Sequence, residues 1–264
     1  RVCTSRDGVG WEECGLLDFG EGSEDYPLYT NGVQPYPRNP KLFTGLPTRY
    51  VERKKWTKNY DRLPRPEARR KRFGIEKREG LALTDCLFMF SRDGLRFHRD
   101  DEAFMRPGPQ GARNWVYGDC YPAPVMLLTP GFDGSDDLLS IYSTVGHVMG
   151  EGETLCRYTI RQDGFVSRQA PYAGAKVVTK PVVFYGTMLL VNFATSARGR
   201  MFVTVNGPGG QSLRSVELFG DQVDRVVDFE TDALSAFAGQ PVTLEFEMSD
   251  ADLYSFRFTG VSKK

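Results

Sequence analysis

Short apolar runs separated by clusters of Gly, Pro, Asp and Asn recur along the whole chain. Leu87-Phe88-Met89-Phe90, Val125-Met126-Leu127-Leu128, residues 138–144 and Thr154-Leu155-Cys156-Arg157-Tyr158-Thr159-Ile160 are of this kind. Runs this short, rich in β-branched and aromatic residues and bounded by turn formers, predict strands rather than helices. From about Gly174 they crowd together: Val177-Val178, Val182-Val183-Phe184-Tyr185, residues 188–193, 201–205, 215–219, 225–229, 242–248 and 253–258. Such close, regular spacing predicts a β-sandwich or jelly roll over 173–264. One helical turn is expected there, over 232–239, with Asp232 as cap and Gly239 as stop.

Two segments share one motif. Ser5-Arg6-Asp7-Gly8-Val9-Gly10-Trp11 and Ser91-Arg92-Asp93-Gly94-Leu95-Arg96-Phe97 both read S-R-D-G-x-x-aromatic, and Arg161-Gln162-Asp163-Gly164-Phe165 is a degenerate third copy. Asp-Gly between apolar stretches signals a hairpin, because both residues tolerate the backbone of tight turns. Repeated hairpins at long intervals predict propeller blades over 1–172, each a four-stranded sheet. The intervals exceed a plain blade, and the excess is visible as insertions. The segment around 61–72 reads as a basic, Pro-interrupted loop with little apolar periodicity, structural or facing a partner.

Composition sharpens this picture. Gly 28 and Pro 16 beside 18 Phe and 12 Tyr suit a turn-rich β protein. Lys+Arg and Asp+Glu both number 34, yet residues 51–80 hold twelve cations against five acids, so the remainder is mildly acidic. No RNP-type or helix-turn-helix pattern flanks the basic stretch, which argues against a nucleic-acid partner. Five widely spaced Cys (3, 14, 86, 120, 156) without a CxxC pair argue against a disulfide framework or zinc ribbon, and lean toward a reducing, cytoplasmic compartment over a secreted or periplasmic one. No apolar run reaches membrane-spanning length and no signal-peptide pattern heads the sequence as given, so no membrane partner is expected. The start at Arg1 rather than Met is what a processed or truncated product shows.

The densest chemistry lies at residues 114–124, Asn-Trp-Val-Tyr-Gly-Asp-Cys-Tyr-Pro-Ala-Pro. Aromatic rings beside an acid suit a sugar site, where rings stack on sugar faces and a carboxylate binds or moves protons on hydroxyls. Asp119 is the candidate catalytic acid, with a loop carboxylate accepting backbone hydrogen bonds as its alternative. Tyr36, Trp115, Tyr117 and Tyr121 are candidate stacking platforms, or else packing residues with a polar group at the rim. Arg38 and Arg49 would grip a substrate hydroxyl or carboxylate, or else brace carboxylates within the fold. Tyr36-Pro37-Arg38 resembles Tyr121-Pro122-Ala123-Pro124 in character, so the two segments would face one funnel. Glu24, Asp25, Glu151 and Glu153 read as surface charge, and His98 and His147 lack ligand-like spacing. Asp133-Gly134-Ser135-Asp136-Asp137 lacks the Glu of an EF-hand loop, and no phosphate loop or Gly-x-Ser-x-Gly elbow is present. Neither a metal nor a cofactor is called for.

These segments together carry a resemblance. Tyr36-Pro37-Arg38, Thr48-Arg49-Tyr50, the Ser-Arg-Asp-Gly copies, Tyr117-Gly118-Asp119-Cys120-Tyr121-Pro122-Ala123-Pro124, Asp163-Gly164-Phe165-Val166-Ser167 and Asp250-Ala251-Asp252-Leu253-Tyr254-Ser255-Phe256 resemble bacterial glycoside hydrolases of the five-bladed β-propeller type, related to invertase- and arabinanase-like enzymes. The resemblance implies an all-β chain: a partial propeller over 1–172 and a C-terminal sandwich over 173–264, matching the C-terminal half of such proteins. It also implies an oligo- or polysaccharide partner and carboxylate acid/base chemistry. No Asn-Asp-Pro or Arg-Asp-Pro segment is present to carry the family's acidic pair. Three readings stay open: a hydrolase needing residues outside this chain, a non-catalytic carbohydrate-binding protein, and part of a propeller completed by N-terminal blades, by homo-oligomerisation or by a partner chain.

Overall fold

Strands form where apolar runs alternate with turn residues, and they assemble into several sheets, none closed, in a mostly-β fold. The computed structural model describes residues 1–150, 152–231 and 233–260. Two compact units emerge, one of residues 1–129 with 139–159 and one of 130–138 with those from 160 on. Residues 160–172, assigned by sequence pattern to the propeller portion, thus pack with the second unit.

The first unit opens on a hairpin of β1 (Val2–Thr4) and β2 (Glu12–Gly15). Next come β3 (Leu28–Thr30), β4 (Gln34–Tyr36), β5 (Asn39–Gly45) and β6 (Thr48–Glu52), then three helices, α1 (Lys58–Arg62), α2 (Pro66–Ile75) and α3 (Lys77–Leu81). The chain returns through β7 (Ala82–Cys86), β8 (Met89–Ser91) and β9 (Phe97–Arg99), and later through β10 (Leu127–Thr129), β11 (Leu138–Val145) and β12 (Thr154–Arg161). β5 pairs with β8 and β6 with β7, both antiparallel, and they lie in two sheets, ordered β4-β5-β8-β9 and β3-β6-β7. The helices connect β6 to β7. β10, β11 and β12 form a separate three-stranded sheet.

The first two Ser-Arg-Asp-Gly copies close their hairpins with the same bonds. Ser5 Oγ accepts from the Gly8 N–H, and Asp7 Oδ1 accepts from the Val9 and Gly10 N–H groups. Ser91 Oγ and Asp93 Oδ1 do the same for Gly94, Leu95 and Arg96. Backbone N–H groups aimed at a carboxylate favour its charged form, so both Asp7 and Asp93 sit below the usual carboxylate range. The third copy differs. Asp163 itself takes the left-handed conformation (φ 57°) and its Oδ2 accepts from Ser255 Oγ at 2.5 Å. The strand after it, β13 (Arg168–Ala170), pairs with residues 251–253 and not with β12. It is no hairpin, because the chain passes here from one unit's sheet to the other's.

The basic stretch is helical rather than a loop. Pro66 opens α2 at a position where its missing N–H costs nothing, and the Glu76 side chain accepts from Arg78 N to start α3. The helices enclose a small core of Tyr60, Leu63 and Leu81, with Trp56, Phe73 and Trp115 packed on it. α2 has no apolar stripe, so the periodicity that announces most helices is missing.

The second unit adds β14 (Ala175–Val178), β15 (Val182–Val183), β16 (Met188–Asn206), β17 (Ser212–Arg214), β18 (Asp221–Val226) and β19 (Pro241–Thr259). Two pairs of short strands expected from the apolar runs are each one strand of 19 residues, β16 and β19. They pair along their length, with register shifts at 192–193 and across 195–200, where Asp250 on the facing strand has φ 47°. The expected strand at 215–219 forms only isolated bridges, and its neighbour β17 begins earlier. The helical turn is a short 3-10 turn at Leu234–Phe237; the cap assigned to Asp232 lies outside the described residues. Leu189, Val191 and Phe193 from one half of β16 share a core with Met201, Val203 and Val205 from the other, together with Leu244, Phe246 and Met248 of β19.

Phe246 is fully buried in that core. Phe246→Ala is expected to lower the unfolding free energy by about 3–5 kcal/mol through lost transfer energy and an unfilled cavity. Urea denaturation measures it, and a change below about 1 kcal/mol would show that the site collapses.

Candidate functional site

Residues 114–124 have no regular secondary structure, so their shape depends on side chains from the strands and helices of the first unit. Arg69 of α2 is buried, and its guanidinium donates to the carbonyls of Pro64 (2.8 Å), Asn114 (2.7 Å) and Trp115 (2.6 Å). Thr84 of β7 donates to the Asp119 carbonyl at 2.7 Å and accepts from Gly118 N at 3.1 Å. Thr48 of β6 donates to the Cys120 carbonyl at 3.2 Å. The Asn114 side chain ties in the preceding loop, accepting from Gly111 N and donating to the Pro107 and Pro109 carbonyls.

Held this way, Trp115 and Cys120 adopt left-handed backbone conformations, φ 60° and 54°. Non-glycine residues there carry about 1–3 kcal/mol of strain each, which persists only where surroundings over-determine it. Gly118 (φ 98°) is required twice over, since a Cβ would also collide with the His147 ring. Trp115 is further pinned by its indole N–H, which donates to the Gly108 carbonyl at 2.8 Å.

Asp119 is only 2% exposed. Its Oδ2 accepts from Val116 N at 3.0 Å, while its Oδ1 is buried without a hydrogen-bond partner among the described residues. Burial raises its pKa from 3.8 to about 6, against the backbone N–H groups of Val116 and Trp115 and the charges of Arg69 and His147, which favour the carboxylate. Asp119 therefore lies beneath the segment, bracing it.

Trp115 and Arg49 line an open cleft of about 500 Å³, together with Asp85, Asp101, Glu102 and Arg106. Arg49 grips Asp85 across the β6–β7 pair through two bonds, at 2.6 and 2.9 Å, and also donates to the Asp101 carbonyl at 2.7 Å. Asp101 accepts from Tyr26 Oη at 2.5 Å, and burial, followed by this bond, pushes Tyr26 up to about 12. A smaller cleft of about 380 Å³ shares Arg53, Leu83 and Trp115 with the first.

The remaining candidates lie elsewhere. Tyr117 and Tyr121 join Tyr29 and Tyr50 in an aromatic cluster, where Tyr29 stacks on Tyr50 at 4.8 Å and the others meet edge to face at 6.0–6.4 Å. Arg78 lies over the Tyr50 ring at 4.8 Å and donates to the hydroxyls of Tyr50 and Tyr29. Burial, then the adjacent Tyr117 hydroxyl, raises Tyr121. Tyr36 is buried at the end of β4, and Arg38 occupies the turn between β4 and β5; neither lines the cleft. His98 stacks on Phe90, and His147 pairs with Glu153 at 2.5 Å. Sequence reading missed Arg53, Asp85, Asp101, Glu102 and Arg106. Only the strand register that sets Arg49 opposite Asp85 would have pointed to them.

Arg69→Met would leave three half-buried carbonyls without their donor. It is expected to destabilise the protein by about 3 kcal/mol. Fluorescence of Trp115 should shift as its backbone anchor is lost, and an unchanged spectrum and midpoint would overturn the assignment.

Asp119 carries a pH dependence. Its raised pKa means that the protonated form is favoured in the fold, so its contribution is full below about pH 4 and is lost as pH climbs through about 6. Two pKa units correspond to about 3 kcal/mol. Urea midpoints of Asp119→Asn from pH 4 to 8 should decline less than those of the parent, and parallel curves would show that another group titrates.

No family model matches the chain, and no curated protein matches it.

Proposed function

We propose that the chain is the carbohydrate-binding portion of a glycoside hydrolase-like β protein, holding an oligo- or polysaccharide in the cleft beside Trp115. One observation carries this: an indole fixed by its N–H forms a wall of a cleft that also presents the Arg49–Asp85 pair and the charges of Arg53, Arg106, Asp101 and Glu102. An indole face packs on the apolar face of a sugar, and fixed ion pairs offer donors and acceptors to hydroxyls without reorganisation. The four-stranded β4-β5-β8-β9 sheet, with its Ser-Arg-Asp-Gly turn, supports a propeller blade. The shared core of both halves of β16 and β19 supports a sandwich in the second unit.

Within this reading Asp119 is a positioning residue, since it touches Trp115's segment and does not line the cleft. Glycoside hydrolysis takes two carboxyl groups flanking the bond, about 5–10 Å apart. Asp85 is paired with Arg49 and Asp101 with Arg99, so among the described residues Glu102 is the one acid of the cleft outside an ion pair, and catalysis would draw on a partner for the second carboxyl group. One observation favours the completed-propeller reading as well: β12 is an edge strand with Leu155 and Tyr158 exposed, a surface that further strands would cover.

Titration with arabino-, fructo- and xylo-oligosaccharides, followed by calorimetry, should give saturable binding with at least one of them. Trp115→Ala should weaken it about tenfold or more. Trp115→Phe, which keeps a ring, should retain part of the affinity and separates lost stacking from misfolding. Absence of binding to every sugar, or equal affinity in Trp115→Ala, overturns the reading.

A further inference from the structure

We propose that the smaller cleft, across Trp115 from the larger, is a subsite for an acidic sugar residue bearing a carboxylate or sulfate. This rests on the carbohydrate reading and names the ligand class within it.

The two clefts differ in charge. In the larger, Arg49, Arg53 and Arg106 face Asp85, Asp101 and Glu102, so the signs balance, and the Arg49–Asp85 pair is closed on itself. In the smaller, Arg53, Lys54 and Lys55 line the wall and, among the described residues, no acid does. Among the described residues these three make no ion pair within the chain. Other cations of the first unit do: Arg70 with Asp61, Arg72 with Glu79, Arg96 with Asp18 and Arg99 with Asp101. Three consecutive unneutralised cations beside an open cavity form a site for an anion. The rest of that wall is neutral, with Thr57 and Asn59 as hydroxyl partners and Leu63 and Leu83 as apolar floor; the Tyr60 hydroxyl is committed to the Leu81 carbonyl at 2.8 Å.

The pairing of a cationic cleft with a balanced one also sets the order of the sugars. A polyanion charged on every unit, such as a nucleic acid, would thread its charges past the three carboxylates of the larger cleft. A glycan with an acidic residue beside a neutral one meets no such repulsion. Trp115, common to both walls, would stack at the junction.

The test measures binding of the intact chain to hyaluronan oligosaccharides (a carboxylate on alternate sugars), kappa-carrageenan oligosaccharides (a sulfate on alternate sugars and no carboxylate), neutral xylo-oligosaccharides and poly(U), in 50 mM and 1 M salt. Acidic glycans should bind about tenfold tighter than neutral ones at low salt, with the difference vanishing at high salt. The better of the two acidic glycans identifies the substituent. Lys54→Ser with Lys55→Ser should abolish the preference while neutral binding persists; both lysines are exposed, and near-ultraviolet circular dichroism confirms that the fold is kept. Equal binding of neutral and acidic glycans overturns the subsite and leaves the carbohydrate reading standing. Tighter binding of poly(U) than of any glycan overturns it in favour of nucleic acid. Failure of all glycans overturns both.

Discussion

Three carbonyl oxygens, of Pro64, Asn114 and Trp115, converge on the buried guanidinium of Arg69, and the geometry of residues 114–124 follows from that convergence. A segment whose one strand-type contact is the bridge at Pro122 must satisfy the rest of its backbone by other means. Here a single planar fork supplies three donors in fixed directions, which a lysine could not do. With the carbonyls fixed, Trp115 is held in a left-handed conformation, and its indole is directed to the Gly108 carbonyl and toward both clefts. The helical insertion is therefore a part of the site's framework. Without α2 the indole would have no fixed place.

What could be read from sequence divides along physical lines. The hairpins at Asp7 and Asp93 were legible because their chemistry is local: a Ser and an Asp accept backbone N–H groups two or three residues on. Asp163 shares those letters and misled, since its partner Ser255 is 92 positions away. The strands of the second unit were legible in place but not in number. Polar residues around 195–200 and 249–250 interrupt the apolar pattern, while the ladder absorbs them as a bulge and continues. The helices were illegible because α2 is held by one buried arginine rather than by an apolar face.

The candidate site shows the same division. Trp115 and Arg49 were picked by residue type and do line the cleft. Their acidic neighbours belong to β7 and to the loop after β9, and only pairing of 48–52 with 82–86 brings Asp85 to Arg49. The tyrosines were read as platforms, yet Tyr29 and Tyr50 cover one another, with Arg78 over Tyr50, and Tyr117 and Tyr121 meet them by their edges. Aromatic content in a polar segment thus marks either a platform or its support, and the hydrogen-bonded framework decides which.

Asp119 illustrates how such a framework tolerates an uncomfortable charge. Arg69 lies close enough to favour the carboxylate electrostatically, but its N–H groups point at carbonyls, so the attraction acts through space without a direct hydrogen bond. Desolvation then outweighs it, and the pKa rises despite a neighbouring cation. Were the same guanidinium turned to Asp119, the carboxylate would be stabilised and the carbonyls of Asn114 and Trp115 would be orphaned. The fold has settled on the arrangement that fixes the tryptophan, and the perturbed acid is a consequence of that arrangement.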